Sequence, residues 1–256
     1  MLYVILFFIF GLLFGSFINC LLWRLYKGEN VLGRSYCPKC RKDIKWYDNI
    51  PILSFIFLKG ECRSCRKKIH WQYPVVEFVG GLLFLFSYLY VDSLSFFGSH
   101  KIILLFKLLF LVSIMLFIFV YDLRWQLVSM IVVIPSCIIM FVFNILLGFS
   151  WLSMIISALI SGGFFLLQFI LTKKKGIGEG DIWLGLLIGV VFPDLQKLFL
   201  AIFLAYLIGS VTGLILMILK RKDWGSRLPL GVFLMLSCSV TVFFGNSIIS
   251  WYLNLF

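Results

Sequence analysis

Residues 1–23 carry no charged side chain, and seven further apolar stretches follow at 75–91, 102–121, 127–147, 151–171, 182–192, 198–219 and 230–249. As a helix, a run of about 20 apolar residues covers the roughly 30 Å of a bilayer's hydrocarbon layer. The chain is 62% hydrophobic and 13% charged, with about half the charge of an ordinary soluble domain. A soluble core of this size could not hide that much apolar side chain. Disorder, a collagen-like rod and a secreted disulfide scaffold are excluded on the same grounds. The expected fold is an all-α polytopic membrane protein of about eight transmembrane helices. The first stretch does not read as a cleavable signal, because Arg24 and Lys27 follow it and no basic residue precedes it. The sixth, ending at Pro193, is short, as expected of a helix that is broken or begins inside protein.

Eight spans place connectors 24–74, 122–126, 172–181 and 220–229 on one side, and these hold 20 of the 23 Lys and Arg residues. Lys101 and Lys197 lie opposite, and Lys107 sits within the third span, where it is expected to snorkel outward. The positive-inside rule puts the basic connectors in the cytoplasm and both termini outside. The net charge of +12 then points to anionic lipid headgroups as partners rather than nucleic acid.

Three parts are expected: a first transmembrane helix at 1–23, a cytoplasmic loop domain at 24–74, and a seven-helix membrane domain at 75–256. The loop contains Cys37-Pro-Lys-Cys40 and Cys62-Arg-Ser-Cys65. Two such pairs, 21 residues apart, read as a closed tetrahedral zinc site of ribbon type with a structural role. Two disulfides are the alternative, disfavoured in a reducing compartment. Cys20, Cys137 and Cys238 fall within spans and read as small apolar residues. No internal repeat stands out.

Carboxylates number only 11, and Glu77, Asp122, Glu179 and Asp181 lie at cytoplasmic span ends. An ionisable group at membrane depth is costly and suggests function. Asp122 closes the third span, and Asp181 opens the short sixth after Gly178-Glu179-Gly180. Brought together, two carboxylates can share one proton, one activating water while the other polarises a peptide carbonyl. Gly178 and Gly180 would let a substrate backbone approach. The alternative is separate roles: Asp122 as an interface residue paired with Arg124, and Asp181 as a helix N-cap.

These segments resemble, in order, the motifs of the type IV prepilin peptidases, or leader peptidase/N-methyltransferases, which belong to the GxGD intramembrane aspartyl proteases. Gly178-Glu179-Gly180-Asp181 matches GxGD. Gly15-Ser16-Phe17-Ile18-Asn19 is similar to GSFLN, and Tyr73-Pro74-Val75-Val76-Glu77 to YPxxE. Both cysteine pairs, the segment from Trp46 to Ser54, Asp122-Leu123-Arg124, and the late segment from Arg227 to Phe233 complete the set. Val128-Ser129-Met130, Trp183 and Val232 depart from the usual pattern.

The resemblance implies an enzyme of the bacterial cytoplasmic membrane. It would cut the short basic leader from type IV prepilins or pseudopilins, with Asp122 and Asp181 as the catalytic pair. Methylation of the new amino terminus from S-adenosylmethionine is implied too, with Glu77 in the region concerned. The chain shows no Gly-rich strand–turn–helix signature for that cofactor. Two other readings compete with it: an ion-coupled transporter using Asp122, Asp181 and Glu77 as a relay, and a structural membrane protein with a zinc-stabilised docking loop.

Overall fold

A computed structural model describes residues 2–94, 98–173, 176–220 and 228–255. Lys174, Lys175, Arg221, Lys222, Asp223 and Arg227, which entered the charge count and the late motif, lie outside the described residues. All eight apolar stretches are helical: α1 (Leu2–Lys27), α3 (Gln72–Ser93), α4 (Ser99–Trp125), α5 (Met130–Leu146), α6 (Trp151–Leu171), α7 (Glu179–Val191), α8 (Leu195–Ile218) and α9 (Leu230–Leu253). A short helix, α2 (Leu53–Phe57), lies in the loop between α1 and α3. Among the described residues, six helices (α1, α3, α4, α6, α8 and α9) are long and apolar enough to cross a membrane. Most helices extend beyond their apolar stretches, because backbone hydrogen bonding continues until something stops it, whereas α5 begins only at Met130, three residues into its stretch. The chain leaves α1 only at Gly28, at a φ of 66°, a left-handed stop that glycine adopts without strain.

The chain divides into two compact units, Met1–Phe117 and Ile118–Phe256. In the first, α1 and α3 pack antiparallel through small residues. A methyl group on Gly15 would lie 2.7 Å from the Glu77 Cα, and one on Gly80 would lie 2.7 Å from the Gly11 carbonyl oxygen. Only glycine lets the two backbones come this close. Lys107, expected to snorkel outward, is instead buried.

The cysteine loop contains a repeat that the sequence reading missed. Cys-x-x-Cys-Arg-Lys-x-Ile occurs at 37–44 and again at 62–69. The Cys37 amide donates to Lys42 O at 3.0 Å, and the Cys62 amide to Lys67 O at 2.9 Å. Arg41 and Arg66 donate back to Cys37 O and Cys62 O, both at 2.8 Å. Each arginine is left-handed, with φ of 57° and 54°. Isolated antiparallel bridges, Tyr36 with Asp43 and Glu61 with Lys68, close the two knuckles. Against a background of varied spacer residues, a period that occurs only twice is easily missed.

In the second unit α7 packs against α6, α5 and α9. At 13 residues it spans about 20 Å, two-thirds of a hydrocarbon layer. Its last carbonyls therefore need partners where water is scarce. The fully buried Asn144 donates to Val190 O at 2.6 Å, and Ser157 to Pro193 O at 3.2 Å.

Candidate active site and metal centre

Asp122 lies in the last turn of α4 and is buried, at 5% exposure. Its Oδ2 accepts the Val232 amide at 3.1 Å, and the Gly231 amide also bonds the carboxylate. Both amides belong to the first turn of α9, where backbone N–H groups have no intrahelical partner and attract negative charge. Pro229 leads into that turn. A methyl group on Gly231 would stand 2.7 Å from Asp122 Oδ2 and 3.0 Å from the Leu184 side chain. The glycine thus leaves the space that the carboxylate fills. The pairing expected with Arg124 as a separate interface role is not what buries Asp122; Arg124 stacks on Trp125, 4.9 Å from the ring centroid.

Asp181 is the third residue of α7, not its cap, which is Gly178. Its Oδ2 accepts the Gly178 amide at 3.0 Å, while its own amide donates to Gly178 O at 3.1 Å. The acid closes a tight turn at its own helix start. Asp122 Oδ2 and Leu184, which follows Asp181 by three residues along α7, both crowd the space beside Gly231, so the end of α4 and the start of α7 meet at the start of α9. Each aspartate is held at the positive end of a helix, Asp181 by α7 and Asp122 by α9. Gly178 is exposed. Gly180 abuts Val128, whose Cβ would be 2.6 Å from an added methyl. Val128 is one of the positions that depart from the motif pattern, and it stands against the signature turn itself. The Tyr206 hydroxyl donates to Gln168 Oε1 at 2.6 Å.

In the first unit, three motifs meet at Glu77. Its Oε2 accepts the Ile52 amide at 2.8 Å, and the Ser16 hydroxyl bonds it too. Ile52 has φ of 60°, a strained backbone for a β-branched residue, which this bond helps to hold. Asn19 donates to Tyr73 O at 3.1 Å and accepts from Gln72 at 3.4 Å. Ser16 and Asn19 of α1, the Ile50–Ile52 turn and the first turns of α3 thus form one polar junction.

Cys37, Cys40, Cys62 and Cys65 place their sulfurs within 4.8 Å of one another. Four thiolates at about 2.3 Å from a tetrahedral zinc would sit about 3.8 Å apart, and Cys37 and Cys65 are 4.0 Å apart, so the set fits that metal. Burial pushes the Cys37 thiol up to about 11, against the pull of the Cys40 and Lys39 amides. At Cys62 burial acts the same way, but the Cys65 and Ser64 amides and the neighbouring thiols outweigh it and bring it down to about 7. Four sulfurs this close cannot all ionise without a cation between them. The knuckles are tied to α1. Tyr36 donates to Glu29 and accepts from Trp23 at 3.2 Å. The buried Arg24 donates to Val31 O at 2.5 Å and Arg34 O at 2.7 Å.

Several of these contacts left no signal in the sequence. Gly231 and Val232 act through backbone amides, which no residue type advertises. Asn144 and Ser157 are single polar residues in apolar runs, indistinguishable by sequence from packing residues.

Residues 9–91 match the bacterial peptidase A24 N-terminal domain, and residues 109–217 match the type IV leader peptidase family. The chain is 30% identical to a prepilin leader peptidase/N-methyltransferase of Bacillus subtilis (strain 168), over 97% of each chain. A protein of the same description from Aeromonas salmonicida (strain A449) is 28% identical, covering 99% of this chain and 94% of its own. Another from Aeromonas hydrophila is 29% identical, covering 100% and 95%. No solved structure matches. The chain belongs to the prepilin leader peptidase/N-methyltransferase family, and it is a protease.

Proposed function

We propose that the chain removes the short basic leader of type IV prepilins or pseudopilins, using Asp122 and Asp181 at the cytoplasmic face of the bacterial cytoplasmic membrane. The observation that carries this reading is the pair itself: two aspartates at neighbouring helix starts, one seated on the first amides of α9 and the other closing the first turn of α7. One carboxylate takes a proton from a water molecule as that water attacks the peptide carbonyl carbon. The other, protonated, gives its proton to the carbonyl oxygen. When the C–N bond breaks, the first gives its proton to the leaving amine, and the second takes one back from a hydroxyl of the tetrahedral intermediate as the new carboxyl group forms. A substrate bond in a helix is shielded, so the cut needs an extended strand; the exposed Gly178 beside Asp181 leaves room for one.

The orientation follows from charge. The basic connectors lie in the cytoplasm against anionic headgroups, and both termini face outside. Zinc in the four-cysteine set would hold the two knuckles together, and Glu77 would fix the loop to α3 where substrate is handled. S-adenosylmethionine is a different case. Among the described residues there are helices and two isolated bridges, without the parallel sheet and Gly-rich turn of a doubly wound pocket. The residues do not fit that mode of binding.

The test is co-expression with a prepilin and comparison of substrate size for wild type, Asp122→Asn and Asp181→Asn. Cleavage that either substitution abolishes supports the dyad. Cleavage that survives both overturns it, as would ion-coupled uptake without processing. Zinc content should vanish when Cys37 and Cys40, or Cys62 and Cys65, become serine.

A further inference from the structure

Outside the candidate spans, the loop between α1 and α3 exposes large apolar side chains. Leu53, Ile56 and Phe57 stand at i, i+3 and i+4 of α2, on one helical face, and all three are exposed, Phe57 at 80%. The opposite side of the helix is occupied: Phe55 packs against Trp71 with ring centroids 5.0 Å apart. Trp46, in the turn that packs beside α2, is 80% exposed, and Trp71 is 71% exposed. A cluster of this kind on a water-facing loop has an occupant.

Two observations fix where the cluster sits and what covers it. The first is depth. The residue immediately before α2, Ile52, is hydrogen-bonded to Glu77 in the second turn of α3. Trp71, beside Phe55, directly precedes α3. The apolar face of α2 is therefore held at the level where that span begins. The second is charge. Residues 24–74 carry twelve Lys and Arg against four carboxylates, and Lys45 and Lys59 flank the cluster, both exposed. This pattern repels a cationic peptide and a second copy of the same loop. It suits a surface that is apolar beneath and anionic above.

We propose that α2, with Trp46 and Trp71, is a membrane-interface wedge. Leu53, Ile56 and Phe57 enter the boundary of the acyl chains, the tryptophans sit at headgroup level, and the lysines meet anionic headgroups. The wedge would set the height of the zinc knuckles above the bilayer. The proposal rests on reading the loop as lying at one membrane face.

The test places a photoactivatable benzophenone amino acid at Phe57 or, as a reference, at Lys39 in the first knuckle. The full-length protein is reconstituted in nanodiscs of phosphatidylcholine with about a quarter phosphatidylglycerol. After illumination, mass spectrometry should find lipid adducts at position 57 and none above background at 39. Replacing phosphatidylglycerol with phosphatidylcholine should reduce them. Cross-links from 57 to a second copy or to an added prepilin overturn the wedge, and so does the absence of adducts. Zinc content reports the fold of each variant, and prepilin cleavage in the same discs separates failure of the wedge from failure of the proposed activity.

Discussion

Gly231→Ala adds one methyl group and no charge, yet it should disable catalysis while leaving the fold intact. The new Cβ would lie 2.7 Å from Asp122 Oδ2, about 0.7 Å inside an ordinary contact. Leu184, 3.0 Å from the same methyl and fully buried, crowds it as well, so the carboxylate must move. In moving it stretches the 3.1 Å bond from the Val232 amide, a charge-assisted bond of about 1.5–3 kcal/mol. A displacement approaching 1 Å at a reacting group costs on the order of 10- to 100-fold in rate. The helix itself gains, since Ala is preferred over Gly by roughly 0.5–1 kcal/mol. The assay is prepilin cleavage by purified protein at saturating substrate, beside thermal unfolding of the same preparation. We expect kcat to fall by about 10- to 100-fold with unfolding little changed. Wild-type turnover in a folded Gly231→Ala protein, with Asp122→Asn inactive, would refute the steric argument and leave the dyad standing.

Further expectations concern the supports of the site. Asn144→Leu removes the donor to Val190 O and should destabilise the protein by about 1–2 kcal/mol, read by denaturant titration in detergent; an unshifted midpoint would show that α7 ends without help from Asn144. Glu77→Ala frees the Ile52 amide in its strained turn, so limited proteolysis should cut faster near residue 52 while zinc stays bound. The Arg63 guanidinium, 2.7 Å from Asp48, holds that carboxyl below its ordinary range, chiefly by hydrogen bonding. The contribution is therefore complete above the unfolded carboxylate value of about 4 and lost as pH falls through the lower folded value. Arg63→Gln should flatten that acid-side loss in hydrogen exchange of the loop.

What the sequence made legible was whatever forms a long apolar run, pairs at short spacing or is costly to bury. Apolar runs announce helices because hydrocarbon tolerates little else, and paired cysteines announce a metal because four sulfurs have few other uses. Asp122 and Asp181 stood out because acids are rare in such a chain. Features carried by backbone or by packing stayed hidden. The seat of Asp122 consists of two amides some 110 residues downstream. Lys107 is buried, although its charge argued for the surface. The Ser16–Glu77–Ile52 junction joins three segments whose motifs were visible one by one, while their meeting was not.

The seat of Asp122 has a mechanical consequence. A carboxylate docked on the first turn of another helix reports that helix's axial position. Sliding or tilting of α9 by a fraction of a residue's rise would pull the acid from its donors without altering any side chain at the centre. With Asp122 in the proposed catalytic pair, ligands, lipids or partners that grip the far end of α9 would have a lever on turnover.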